Sequence, residues 1–147
     1  MLHFRFVLIA VAGISSGAAQ ADPTTNTCRF LDVMGSNNVV ELADTLAEIA
    51  PRFSEDRNEQ AAQQLGTVLE ASPFIGGSAW RVVKFGEDIE EHLVLIRLKE
   101  GEVAGARLRY EWTAQGLSMV NLEVQRKYAE FTALQFTQAP ERLDCGE

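Results

Sequence analysis

The chain has 147 residues, 46% of them hydrophobic and 23% charged, and 21 acidic against 13 basic side chains leave it at net −8. That is enough apolar residue for one domain with a real core. The negative field repels phosphate backbones and anionic lipid surfaces, which argues against nucleic-acid and membrane-surface roles and leaves small ligands and proteins open as partners.

Residues 1–21 have the order of an export signal. Arg5 gives a basic start, Phe6 to Ile14 form a short apolar run, and Ala19-Gln20-Ala21 supplies the small residues a signal peptidase accepts. The run falls well short of the roughly 20 residues needed to span a bilayer. Cleavage between Ala21 and Asp22 is therefore expected, with a periplasmic or secreted product of 126 residues and, with Arg5 gone, net charge −9. No later stretch is apolar and long enough for membrane insertion.

Cys28 and Cys145 are the only cysteines, and they bracket nearly the whole exported chain. Two cysteines in an oxidising compartment most often pair, and neither sits in a C-x-x-C motif. A structural disulfide is expected.

Residues 22–35 read as a polar leader in which Phe30, Leu31 and Val33 dock. A first helix is expected from Asn37 or Asn38, with Asn38 and Glu41 spaced as a capping box. Val39, Leu42, Ala43, Leu46, Ile49 and Ala50 then share one face, and Pro51 ends the run. A second helix starts at Ser54 or Asp56, has acids in its first turn, buries Ala61, Ala62, Leu65, Val68 and Leu69, and stops at Ser72-Pro73. Phe74 to Ser78 reads as a loop. Strands follow over Trp80 to Phe85, Glu91 to Lys99, Glu102 to Thr113 with a bulge at Gly105, and Leu117 to Arg126. In the last of these, Val120, Leu122 and Val124 alternate with Asn121, Glu123 and Gln125 as dry and wet faces. Residues 128–138 fit either a strand or a helical turn.

Helices followed by hairpin-linked strands define an α+β domain: two helices packed on a bent antiparallel sheet of four to five strands. The expected organisation is a signal over 1–21, a leader over 22–35, a single α+β domain over 36–138 and a tail over 139–147 tethered by the disulfide.

The run Arg107-Leu108-Arg109-Tyr110-Glu111-Trp112, the turn at Gly116, and Leu117-Ser118-Met119-Val120-Asn121-Leu122-Glu123-Val124 resemble the closing hairpin of small exported bacterial proteins with an NTF2-like, cystatin-like cone. With the two preceding helices the resemblance spans roughly residues 36–127. It implies a pocket between helices and concave sheet and a periplasmic setting. It carries no catalytic residues over, and fold alone does not settle function.

His92 is the only histidine of the exported chain. Its strand places Glu91 on the opposite face and Glu90 on its own, and a lone histidine there reads first as a hydrogen-bonded residue. One histidine and a cysteine pair make no zinc set, and Glu87-Asp88 and Glu90-Glu91 lack EF-hand spacing, so no metal or cofactor is expected. There is no G-x-S-x-G and no phosphate-loop motif. The remaining set of interest is Trp80, Tyr110 and Trp112 with Arg107, Arg109 and His92. Leu108, Tyr110 and Trp112 share one face, as core or as a pocket floor, while Arg107, Arg109 and Glu111 share the other.

The expected function is a non-enzymatic exported binding domain for a small apolar molecule or an envelope protein partner, with homodimerisation left open. The alternative is an isomerase- or hydratase-type enzyme using a pocket carboxylate or His92. A purely structural or inhibitory partner protein is a third class.

Overall fold

The computed structural model describes residues 22–127 and 138–146. These residues form three helices and then an antiparallel sheet: α1 (Pro23–Ser36), α2 (Val39–Ile49), α3 (Glu55–Ala71), β1 (Phe74–Phe85), β2 (Ile89–Leu98), β3 (Val103–Thr113), β4 (Gly116–Gln125) and β5 (Glu141–Arg142). The five strands lie in the order β4-β3-β2-β1-β5, and every pairing is antiparallel.

The segment read as a leader is helix α1. Asp22 caps it by accepting from the Thr25 backbone at 2.9 Å, and Pro23 occupies the first turn, where a missing N–H costs nothing. Pro23, Thr27, Phe30 and Met34 fall at helical spacing and are all buried. The polar start of the segment hid that period. α1 ends at Asn37, whose φ of 53° is a left-handed stop.

Asn38 does cap α2, accepting from Val40 and Glu41. The reciprocal half of the box is replaced, because the Asn38 N–H goes to the Ser36 hydroxyl at 3.2 Å. Ser54 caps α3 through the Arg57 backbone, and the helix stops before Ser72 and Pro73 as its sequence requires.

Phe74 to Ser78 is the first half of β1, not a loop; its cross-strand pairing with β2 runs from Phe74↔Leu98 to Phe85↔Ile89. Gly105 sits in regular register with Leu95 and Gln125, so no bulge occurs there. The irregularities lie at Ile75, Val82 and Val120 instead. The last one corrects the expected alternation in β4. Leu122 and Val124 pack on the core after the bulge, Met119 and Leu117 do so before it, and Val120 drops out of the series.

One sheet face meets the helices. Ala79, Val94, Ile96, Leu98, Ala104, Ala106, Leu108, Tyr110 and Met119 form a single core with Phe30, Met34, Leu42, Leu46 and Leu65. A smaller cluster of Val82 and Leu93, with Trp80, Val83 and Leu95 against it, lies apart from that core. Cys28 of α1 and Cys145 of the tail are joined, S–S 2.04 Å, and Leu143 just before the bridge enters the main core. Helix α1 and the segment 141–146 thus belong to the domain. Among the described residues no helix is long and apolar enough to cross a membrane. The stretch 128–137, left open between strand and helix, lies outside the described residues.

Candidate functional site

The structure divides the residues singled out by sequence into three places. His92 and Tyr110 lie in the core beneath α1, on adjacent strands, with ring centroids 5.4 Å apart in an edge-on arrangement. Trp112 stands on the wall of a surface cleft. Trp80, Arg107 and Arg109 belong to neither.

Sequence reasoning missed Thr27, which ties the buried pair together. Its Oγ1 is 2.7 Å from His92 Nδ1 and 2.9 Å from Tyr110 Oη. On the other side of the ring, His92 Nε2 is 3.1 Å from Glu90 Oε2. Glu90 does share the face of His92, as period-two alternation requires. Because a carboxylate can only accept, the ring carries its proton on Nε2 and donates it to Glu90. Nδ1 then accepts from the Thr27 hydroxyl, and the Thr27 oxygen accepts from Tyr110. Every donor in the chain Tyr110–Thr27–His92–Glu90 finds an acceptor.

The arrangement has the outline of a nucleophile, a base and an orienting acid. It does not present them to a substrate: Thr27, His92 and Tyr110 are each 0% exposed. A buried, fully paired network of this kind holds its elements in register. Here it fastens α1 to β2 and β3. Burial pushes the His92 pKa below its ordinary value, against the opposing pull of Glu90. Burial also pushes Tyr110 far up, so its phenol stays protonated.

Glu90 is the outward end of the network. It is 4% exposed, and its other oxygen lies 3.2 Å from Lys84 Nζ and 3.5 Å from Arg81 Nη1. Arg81 also binds Glu141 of β5. These groups border a cleft of about 630 Å³ shared with Asp22, Glu87, Asp88 and Trp112. Its two cations, Arg81 and Lys84, are both engaged by Glu90, while Asp22, Glu87 and Asp88 form no salt bridge among the described residues and leave the walls net negative.

Arg107 and Arg109 point away from Tyr110, as the alternation along β3 predicts. Their partner is Glu91 of β2 more than Glu111: Arg107 grips Glu91 through Nε at 3.0 Å and through Nη2, Arg109 Nε is 3.5 Å from Glu91, and Glu111 is 4.0 Å away. Trp80 packs with Val83 and Leu95 around Val82 and Leu93, its indole N–H donating to Ser78. Among the described residues no cluster of His, Cys, Asp and Glu is gathered closely enough to hold a metal ion.

The second cleft, about 560 Å³, was not anticipated. β5 covers β1 at Trp80 and Arg81, and Leu143 N–H donates to Ala79 O at 2.9 Å. Further along β1, the Gln138 side chain takes both backbone groups of Lys84. On the other side of Ala79 the tail turns off through Asp144 to reach Cys28. The disulfide therefore draws the tail away from β1 and leaves a wedge. Gly76, Gly77, Ser78 and Arg97 line one side, Asp144, Cys145 and Gly146 another, with Leu31 and Phe74 at the helix end. The signal for this site lay in Gly76-Gly77, which sequence reasoning treated as a flexible turn. Comparison with known proteins adds nothing to set beside either cleft: no family model, no curated protein and no solved structure matches the chain.

Proposed function

We propose that this chain is an exported, disulfide-stapled, non-enzymatic binding domain that meets an envelope protein partner at its surface, in the wedge between β1 and the tail. The observation that carries the reading is the open edge of β1 from Ile75 to Ser78. An uncovered strand edge offers backbone donors and acceptors to another chain, and proteins that do not use such edges usually cover or charge them. Among the described residues the rest of the strand is covered and this stretch is not. Ile75, 62% exposed, stands at its end. The Cys28–Cys145 bond supports an oxidising compartment, in agreement with the signal-like residues 1–21 and the NTF2-like resemblance.

A second reading, an isomerase- or hydratase-type enzyme, draws on Glu90 at the Trp112 cleft with His92 behind it. It is the weaker one. Glu90 is held by Lys84, Arg81 and His92 together, and no group of the network is free to take a proton from a bound molecule.

Placing a photoreactive side chain at Ile75 tests the proposal in the native compartment. Discrete adducts are expected there and not from the same group at Val40, which is even more exposed, on α2. Adducts from both positions alike, or from neither, would overturn the wedge as the binding site.

A further inference from the structure

Arg97 belongs to β2, yet its guanidinium is not over β2. It pairs across the ladder with Gly76 of β1, and its Nη2, Cζ and Nε lie 3.1, 3.7 and 3.6 Å from where a Cβ of Gly76 would stand. The side chain is therefore laid across β1 at a residue without a side chain to block it. Gly76 also has a φ of 151°, a conformation other residues rarely adopt. Strands lie about 4.8 Å apart, so an arginine crossing its neighbour delivers its charge to the far edge of that neighbour. That edge is the open stretch of β1.

The guanidinium arrives there with no carboxylate. Among the described residues Arg29, Arg81, Arg107, Arg109 and Arg126 each bind an acid; Arg97 has no ion-pair or hydrogen-bond partner, and Arg52 and Arg57, away from this cleft, also lack an acid, Arg57 lying over the Phe53 ring. Asp32 and Asp144 line the same cleft without engaging it. The adjacent backbone is also turned outward. Ala79 O accepts from Leu143 on the tail side, and with period-two alternation Gly77, two residues earlier, presents its N–H and C=O to that same edge. On the helix side of Gly77 stand Leu31 and Phe74, 2.6 and 3.4 Å from its virtual Cβ.

From these placements we infer that the wedge takes an extended polypeptide segment as an added strand on β1, with a carboxylate side chain opposite Gly76 on Arg97 and an aliphatic neighbour against Leu31 and Phe74. The inference deepens the surface-binding reading and rests on it. The backbone bonds of Gly77 supply register, the alternation of the incoming strand puts acid and aliphatic side chains on opposite faces, and the unpaired guanidinium selects the acid.

The blocked peptide Ac-Val-Thr-Val-Glu-Val-Thr-NH2 is the probe, titrated against the full chain with its disulfide intact and followed by amide shifts. Binding is expected with the largest shift at Gly77. Changing the peptide Glu to Gln, or Arg97→Gln in the protein, should each weaken binding about tenfold, with no further loss when both are made. Methylating alternate peptide amides should abolish it. Arg97 is exposed, so a thermal melt of the variant will match the parent and exclude misfolding as the cause. Binding that survives amide methylation, or that free hexanoate competes away as well as the peptide does, overturns strand addition in favour of a small acid. No binding by the peptide while cross-links from Ile75 persist overturns this inference and leaves the wider reading standing; loss of those cross-links removes both.

Discussion

His92 shows how one buried ring couples stability to pH. In the neutral network its Nε2 proton goes to Glu90 and its Nδ1 accepts from Thr27. A second proton on Nδ1 would reverse the chain: Thr27 would have to donate to Tyr110, whose own hydroxyl hydrogen would then point into the core without an acceptor. The groups facing the ring are Thr27 of α1, Tyr110 of β3, Glu90 of β2 and, through Glu90, Arg81 of β1. Among them the cost of burying charge prevails, and the folded-state pKa lies below the ordinary value near 6.5. Between that value and the lower folded one, the unfolded chain binds a proton that the folded chain refuses. Stability is therefore complete above about pH 6.5 and falls as the pH drops below it. Asp22 and Glu141 are held below the usual carboxylate range, so their contributions fade only at more acid pH. Thermal melts at pH 7.5 and 5.5 should show a decrease of a few degrees, roughly that of a 1 kcal/mol loss in a domain of this size. In His92→Gln, less stable at both values, that difference should vanish. A pH slope unchanged by the substitution would mean that another group titrates. Of these residues the sequence made only the Glu90–His92 pair legible, because period-two spacing along one strand reveals who shares a face. It could not show Thr27, which is brought there from 65 residues away.

At the scale of elements, the helix pair α2–α3 is set by a close approach. Gly66 of α3 faces Val39 of α2, and a Cβ at that position would stand 2.5 Å from Val39 Cγ2. Glycine costs a helix interior about 1 kcal/mol relative to alanine, whereas overpacking a fitted contact costs typically about 1–3 kcal/mol. The second effect is larger, so Gly66→Ala should destabilise by about 1 kcal/mol in denaturant unfolding. In a Val39→Ala background the same change should be neutral or stabilising, since only the helix propensity remains. Equal costs in both backgrounds would show that the two helices do not meet there. The element boundaries that the sequence located well are those with local chemistry: the caps at Asn38 and Ser54, the stop at Ser72-Pro73, the hairpin at Gly116. α1 and the first half of β1 were not located. The first buries a stripe of mixed polarity, and the second carries two glycines whose value lies in what passes over them, not in the turn they suggest.

For the whole molecule the decisive bond is Cys28–Cys145, which closes nearly all of the described chain with a sequence separation of 117. On the chain-entropy account so long a loop contributes up to about 4–5 kcal/mol by restricting the unfolded ensemble. Replacing both cysteines by serine should lower stability by an amount of that order. In hydrogen exchange it should release first the Leu143 amide that holds the tail to Ala79, while the β2–β3 amides keep their protection. Uniform loss across the sheet would instead mean that the bridge supports the core as a whole. By itself the sequence determined the α+β class, the order of α2, α3 and the four long strands after them, and the cysteine pairing, because each follows from local periodicity, local capping or the count of two thiols. Only the tertiary structure decided which polar residues are sealed in, that Arg97 reaches the wedge without an acid and where a strand edge stays bare. Those depend on distances between segments far apart in the chain, where burial and charge pairing are settled by packing and no local spacing records them.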